Sequence, residues 1–93
     1  MAGKVTVYIS MISSDMERKK QQQKIEMILS SKKIDCEYVD VSASHDALEK
    51  MRELTNDAHA LPPQIVNGDD YCGDFSAFEE AVENGDLKGF LKI

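Results

Sequence analysis

The chain has 93 residues, which suits one small domain with a single hydrophobic core. Hydrophobic residues make up 42% of it and charged residues 30%, as in an ordinary globular protein. The formal net charge of −6 argues against nucleic acid as a partner, because phosphate binding needs a basic surface. No apolar run approaches the roughly 20 residues of a membrane span, and the N-terminus has no signal-peptide core. We therefore expect one intracellular domain over residues 1–93.

The first predicted element is a strand over residues 4–10, KVTVYIS. Its aliphatic residues alternate with Thr6 and Tyr8, and all of these residue types favour strands. Bulky side chains on both faces predict a central strand of the sheet.

A helix is predicted next, ending at about Ser31. Ser14, three residues before Glu17, fits the capping box that often starts a helix. The first half of the helix, ERKKQQQK, has no apolar residue and is expected to lie in solvent. The second half carries an apolar stripe that predicts core contacts for Ile25, Ile28, Leu29 and Met27.

The middle of the chain predicts a second strand over 35–41 and a helix over 45–55, capped by Ser42 or Ser44. A third strand over 64–66 and a returning strand at 71–72 complete the sheet. Asn67-Gly68 between them is a strong hairpin signal, because both residues tolerate the positive φ of a tight turn.

Two helices are predicted to close the chain, one capped by Asp74 or Ser76 and a short one from Asp86. The order β-α-β-α-β-β-α-α makes the first two strands parallel, with a right-handed crossover. The hairpin adds an antiparallel pair. The fold class is therefore α/β, with a four-stranded mixed sheet flanked by helices.

The most specific motif is ALPPQIVNGDDYCGDF, residues 60–75. With this element order and a proline before the third strand, the chain resembles the glutaredoxin-type branch of the thioredoxin-like fold. Pro63 matches the cis-proline of that branch. The chain more closely resembles the SH3 domain-binding glutamic acid-rich-like family, glutaredoxin-like domains without the redox motif. Besides this motif, the resemblance rests on VYIS, KKQQQ, YVDVS and MRELT. The length, without an acidic C-terminal tail, matches the short form of that family.

The resemblance implies a cleft without a catalytic residue. The redox cysteine pair would fall near Ser13 and Met16, or six residues later near Lys19 and Gln22, but no cysteine occurs in residues 1–34. Serine is no substitute, because its hydroxyl is not ionised at neutral pH and no base lies nearby. Cys72, on the glutathione side of the family's cleft, is either a buried structural thiol or a single redox thiol.

Glutathione binding is also expected to be lost. In glutaredoxins, the residue before the cis-proline pairs its backbone N–H and C=O with glutathione, whereas Pro62 has no N–H. We therefore assign no cofactor. The residues left as candidates for a vestigial cleft are Ser13, Ser14, Pro62, Pro63, Gly73 and Asp74. The basic residues at the start of the first helix form either a solvated face or a weak anion site: Arg18, Lys19, Lys20 and Lys24.

Other candidate sites find little support. No PxxP motif is present, so an SH3 domain is not expected to dock on Pro62-Pro63. No metal site is expected, because the histidines and the hairpin carboxylates lack ligand spacing: His45, His59, Asp69, Asp70 and Asp74. Met27 and Met51 are expected in the core, and Met11 and Met16 are expected to be partly exposed.

These observations favour a non-enzymatic, monomeric interaction module that binds protein partners through the vestigial cleft or the start of the first helix. The family resemblance implies a regulator of the cytoplasm and nucleus that modulates glutaredoxins. The alternative is a weak glutathione binder, or a redox protein acting through the single thiol of Cys72.

Overall fold

The computed structural model describes residues 4–12 and 15–93 and contains the eight predicted elements in the predicted order. No helix in these two ranges has the length and apolar character needed to cross a membrane. The elements are β1 (Val5–Ile9), α1 (Met16–Ser31), β2 (Cys36–Asp40), α2 (His45–Thr55), β3 (Gln64–Asn67), β4 (Asp70–Asp74), α3 (Phe75–Glu83) and α4 (Leu87–Leu91).

The four strands form one mixed sheet in the order β2-β1-β3-β4, so β1 is central, as predicted. β1 runs parallel to β2, with Val5 opposite Cys36, and antiparallel to β3, with Val5 opposite Asn67. The hairpin turn lies at Gly68-Asp69, one residue later than predicted, because Asn67 still pairs with Asp70 as part of the ladder.

The sheet has a core on each face. Helices α1, α3 and α4 supply the larger core, and α2 supplies the smaller one. Alternation along β1 divides its side chains between the two, since Val5 and Val7 join the first core and Tyr8 the second. The larger core consists of Val5, Val7, Ile25, Leu29, Ile65, Phe78, Leu87 and Leu91, and the smaller one of Tyr8, Val41, Met51, Ala60 and Val66.

The methionines show where the sequence prediction for α1 was wrong. Met51 is fully buried and Met11 and Met16 are exposed, as expected, but Met27 is 64% exposed. Met27 lies two residues from both Ile25 and Leu29, which are fully buried. Two residues correspond to about 200° around an α-helix, so Met27 faces away from the core.

Side chains cap the N-termini of α1, α2 and α3, although not always the predicted ones, whereas Asp86 makes no side-chain cap hydrogen bond at α4. Asp15 caps α1 and accepts a hydrogen bond from the N–H of Glu17 at 3.0 Å, so the prediction of Ser14 as the cap was wrong. Aspartate suits this position, because its charge also complements the positive end of the helix dipole. Of the alternatives left open for the other helices, Ser44 caps α2 and Asp74 caps α3.

Asn67 ties the last helix to the sheet. Its buried side-chain nitrogen donates to the carbonyl of Leu91 at 2.8 Å and to that of Lys92 at 3.1 Å. These are C-terminal carbonyls of α4, which have no partner within the helix. Asn67 therefore holds the end of α4 against β3, a role that a turn prediction does not suggest.

A bulge in β4 brings Gly73 close to the helices. Val66 pairs with Tyr71 and Ile65 with Gly73, which leaves Cys72 as the extra residue. Gly73 has φ of +155°, and a Cβ on it would lie 2.8 Å from both Ala77 Cβ and Phe90 Cε1. Only glycine fits this position without displacing α3 or α4.

We predict that Gly73→Ala lowers the free energy of unfolding by about 2–4 kcal/mol, from steric overlap together with backbone strain. Gly85→Ala is the matched control, because Gly85 also has a positive φ of +70° but nothing within 4 Å of the added Cβ. The control should lose only about 1 kcal/mol. Urea unfolding of both variants measures the difference, and equal losses would contradict this account of Gly73.

Candidate functional site

A groove of about 360 Å³ lies where the loop before β3 meets α1 and the start of α3. Of the predicted cleft residues, Pro62, Pro63 and Asp74 line it together. Gly73 does not line it, because this buried residue faces Ala77 and Phe90. Ser13 and Ser14 lie outside the described residues. We call this the cis-proline groove; its other lining residues are Gln21, Asp57, His59, Ala60, Leu61, Gln64, Phe75 and Ser76.

The loop before β3 is held by three side chains, and the Pro62–Pro63 peptide bond within it is cis. The carbonyl of Ala60 accepts from Arg52 Nε of α2 at 3.2 Å. The carbonyl of Leu61 accepts from Gln64 Nε2 at 2.8 Å, and that of Pro62 from Arg18 Nε of α1 at 3.0 Å. Three consecutive carbonyls are thus satisfied from three different elements.

The contact between Arg18 and Pro62 bears directly on glutathione. Pro62 has no N–H to donate, and its carbonyl already accepts from Arg18. Of the two backbone groups that the glutaredoxin pattern offers to glutathione, the N–H is therefore missing and one of the two acceptor positions of the carbonyl is taken. From the sequence we predicted only the loss of the N–H contact. The contact at the carbonyl was missed because nothing local in the sequence links Arg18 to Pro62, which is 44 positions away.

The polar half of α1 is only partly solvated, which modifies the prediction made for it. Gln22 accepts from the N–H of Ser10 at 2.9 Å and donates to the carbonyl of Ser10 at 3.0 Å. Lys24 pairs with Glu79 at 2.8 Å. With Arg18 also engaged, Lys19 and Lys20 are the exposed members of the four basic residues named from the sequence. The start of the helix thus helps to order the loops around the groove, with two of its four cations engaged in contacts inside the protein.

Gln64 connects the loop to β4. Besides donating to Leu61, its Oε1 accepts from the hydroxyl of Tyr71 at 2.6 Å. Burial raises the pKa of Tyr71, and the nearby carboxylates of Asp74 and Asp57 raise it further. Tyr71 therefore stays protonated and keeps donating to Gln64. The hydrogen bond between Gln64 and Tyr71 was not predicted from the sequence. The available signal was a polar residue, Gln64, directly after Pro62-Pro63 at the start of a buried strand.

Two carboxylates line the groove where the glutaredoxin pattern would place an anionic tripeptide, those of Asp57 and Asp74. Two guanidinium groups lie against the same loop, because Arg18 donates to the carbonyl of Pro62 and Arg52 to that of Ala60. A hydrogen bond to a neutral carbonyl leaves the positive charge on each guanidinium, so the groove holds charges of both signs. The case against glutathione therefore rests on the backbone contacts of Pro62 and not on charge.

Four large apolar side chains are exposed in three segments of the chain. They lie between β1 and α1, at the first turn of α1 and in the loop before β3, and the Arg18–Pro62 contact joins the last two of these segments. Met11 lines a second groove together with Lys19, Gln22 and Tyr38. The N–H of Met11 donates to Asp40 Oδ1 at 3.1 Å, which ties the β1–α1 connection to the end of β2. We call this set the apolar rim: Met11 (67% exposed), Ile12 (79%), Met16 (64%) and Leu61 (53%).

Neither thiol belongs to the groove. Cys36 and Cys72 are free, half-buried and packed against the larger core. Burial raises the pKa of Cys72; Lys92 acts in the opposite sense and Asp70 adds to the rise. A raised pKa means less thiolate at neutral pH, which favours the structural alternative for Cys72 over the redox one. Across residues 4–12 and 15–93, no three His, Cys, Asp or Glu side chains gather as a metal site.

Comparison with known proteins agrees with this architecture. The chain is 39% identical to an SH3 domain-binding glutamic acid-rich protein homolog of Drosophila melanogaster, over 94% of this chain but 63% of that protein's length. Among solved structures it is similar to the C. albicans actin interacting protein Aip5, with a TM-score of 0.77 and 26% identity over 95% of this chain and 87% of that one. A wild-type Aip5 structure matches with a TM-score of 0.76 and 23% identity, over 97% and 91%.

The family comparison covers nearly the whole chain. A model of the family described as "SH3-binding, glutamic acid-rich protein" matches residues 3–93. The sheet order, the helices on both faces and the proline loop before β3 agree with the thioredoxin-like fold of that family. The resemblance inferred from the motif at residues 60–75 is confirmed: this chain belongs to the SH3-binding, glutamic acid-rich protein family.

Proposed function

We propose that this chain is a protein-interaction module that carries out no thiol–disulfide chemistry and binds its partners through the apolar rim and the cis-proline groove. The observation that carries the proposal is the hydrogen bond from Arg18 to the carbonyl of Pro62. It takes one of the two acceptor positions of the backbone carbonyl that glutathione or a substrate peptide would use, while the side chains of the apolar rim stay exposed.

The character of the rim supports a protein partner. Methionine side chains are flexible and polarizable, and exposed methionines are common on surfaces that bind several partners. Four large apolar side chains are exposed, and one of them, Leu61, lines the groove together with Asp57 and Asp74. Exposed apolar surface next to a groove is typical of interaction sites on soluble proteins. A partner that offers apolar side chains next to a basic residue would complement both features.

The relatives' names also point to protein partners, one described as SH3 domain-binding and another as actin interacting. For this chain we propose a monomer of the cytoplasm and nucleus that modulates glutaredoxins by occupying their protein partners. Direct docking of an SH3 domain on Pro62-Pro63 is not part of the proposal, because both prolines are buried.

The alternative kept from the sequence, a weak glutathione binder or a redox protein using Cys72, has less support. Pro62 has no N–H, its carbonyl already accepts from Arg18, and the thiol of Cys72 lies outside the groove with a raised pKa. Each of these features alone would weaken the alternative, and they are physically independent of one another.

For partner binding, we predict that Met16→Ser with Leu61→Ser reduces capture of the wild-type partners from a cytosolic extract about tenfold, because apolar contact residues carry most interface energy. Quantitative mass spectrometry measures the recovery. Met27→Ser is the matched control, since Met27 is on the same helix and is also 64% exposed. Equal loss in the control, or no loss in the double variant, would count against the rim as the binding surface.

For glutathione, we predict no saturable amide chemical-shift changes at Gln64 or Asp74 with millimolar glutathione, and no turnover of hydroxyethyl disulfide. Arg18→Ala frees the carbonyl of Pro62 and serves as the comparison, because it restores one of the two missing backbone contacts. Saturable shifts in the wild-type protein, or measurable turnover, would revive the cofactor-binding alternative.

For Cys72, we predict slow alkylation by iodoacetamide at neutral pH. Its raised pKa leaves a smaller fraction of thiolate than in an unfolded peptide, so the rate should keep rising well into the alkaline range. A Cys36→Ser background isolates Cys72, and the same protein in urea gives the reference rate. Faster labelling in the folded state than in urea would instead indicate an activated thiol.

A further inference from the structure

The end of the sheet opposite the cis-proline groove carries two adjoining grooves. One, of about 640 Å³, is lined by Lys4, Lys33, Asp35 and Ile93, besides Val5. The other, of about 390 Å³, is lined by Val82, Gly85, Asp86 and Leu87. Both are also lined by Lys32, Ile34 and Lys88, which makes them one continuous depression. We call it the lysine channel.

The lysine channel is basic in a chain that is acidic as a whole. The protein has 11 Lys and Arg residues against 17 Asp and Glu residues, yet four lysines gather here. Lys4 lies 3.7 Å from Glu37, with both side chains more than half exposed. Lys32, Lys33 and Lys88 are exposed and form no ion pair within residues 4–12 and 15–93. Asp35 and Asp86 are the acidic members of the lining.

The floor of the lysine channel is apolar. Leu87 is buried, Ile34 and Val82 are half-buried, and Ile93 is 49% exposed at one side. The channel exists because α1 stops at Ser31 and the chain turns through Lys33, at φ of 57°, into β2. That turn leaves the side chain of Ile34 only half-buried, between the lysines and the α3–α4 connection.

We propose that the lysine channel binds an extended acidic peptide segment of a partner protein. Its carboxylates pair with Lys32, Lys33 and Lys88, and one apolar side chain rests on Ile34, Val82 and Leu87. Charge complementarity selects the occupant: three exposed lysines that form no ion pair among the described residues flank an apolar floor, and they outnumber the two carboxylates of the lining. An acidic segment with an apolar residue satisfies both features.

A peptide fits this surface better than the other common polyanions do. Duplex DNA meets net repulsion from a protein of charge −6, and four lysines are few for tracking a phosphate backbone. An anionic membrane needs lysines that project from a flat or convex surface, whereas the apolar floor here is recessed. The site also lies at the far end of β1 from the cis-proline groove, so it does not depend on the function proposed for that groove.

The test uses fluorescence anisotropy with a fluorescein-labelled octapeptide of glutamates that contains one central leucine. We expect binding that weakens as salt is added, because exposed charge pairs are screened. Exchanging the central leucine for serine should weaken binding roughly fivefold, since the apolar contact is lost.

The triple variant K32Q/K33Q/K88Q should bind about tenfold more weakly than the wild-type protein, because its three charge pairs are gone. The matched control is K19Q/K20Q/K50Q, which has the same net charge and changes three exposed lysines outside the lysine channel. The control should stay within about twofold of the wild-type affinity, apart from the general charge effect. All the substituted lysines are exposed, so both variants should fold.

Three results would overturn the proposal. One is equal affinity of the two triple variants, which would show that net charge alone governs binding. Another is equal affinity for the leucine and serine peptides. The third is no binding of the glutamate peptide while phosphatidylserine vesicles or duplex DNA bind and the binding depends on Lys32, Lys33 and Lys88.

Discussion

Three hydrogen bonds to consecutive carbonyls determine the shape of the cis-proline groove. The carbonyls of Ala60, Leu61 and Pro62 accept from side chains of α2, β3 and α1. Because α1 and α2 pack on opposite faces of the sheet, the loop joins both cores of the domain. Buried backbone groups must find partners, and here the protein supplies them itself where the glutaredoxin pattern leaves backbone groups to a ligand. The same hydrogen bonds that hold the loop therefore use backbone acceptor positions that the glutaredoxin pattern offers to a ligand.

The fold could be predicted from the sequence because its signals are local. Each signal lies within a few neighbouring residues: the alternation in β1, the apolar stripe of α1 and the turn at Gly68. The motif at residues 60–75 then identified the family. The site was harder to predict. Arg18 and Gln22 looked like solvated residues of a polar helix, because their partners, Pro62 and Ser10, are 44 and 12 positions away. A pattern within one helix contains no information about such contacts.

The predictions that were wrong at single residues, the cap of α1 and the burial of Met27, also have specific causes. Ser14 and Asp15 are both good caps, and only the backbone path decides which carboxylate or hydroxyl reaches the free N–H groups. Met27 was placed in the core on its hydrophobicity, although its helical angle excludes it. At the scale of the whole molecule, four lysines gather near one end of β1, whereas the groove near the other end contains Asp57 and Asp74.

The link between Asn67 and α4 has a consequence for the chemical lifetime of the protein. Asparagine followed by glycine is the dipeptide most prone to deamidation, in which the glycine nitrogen attacks the side-chain amide. In the folded chain the amide of Asn67 is held by the carbonyls of Leu91 and Lys92, and the nitrogen of Gly68 donates to the carbonyl of Lys4 at 2.9 Å. Both reacting groups are thereby restrained. If α4 detaches, the restraint on the Asn67 amide is lost, and the aspartate or isoaspartate that forms would place a carboxylate against two carbonyls and oppose renewed docking of the helix. The extent of deamidation at Asn67 thus rises with the time that a molecule spends with α4 detached.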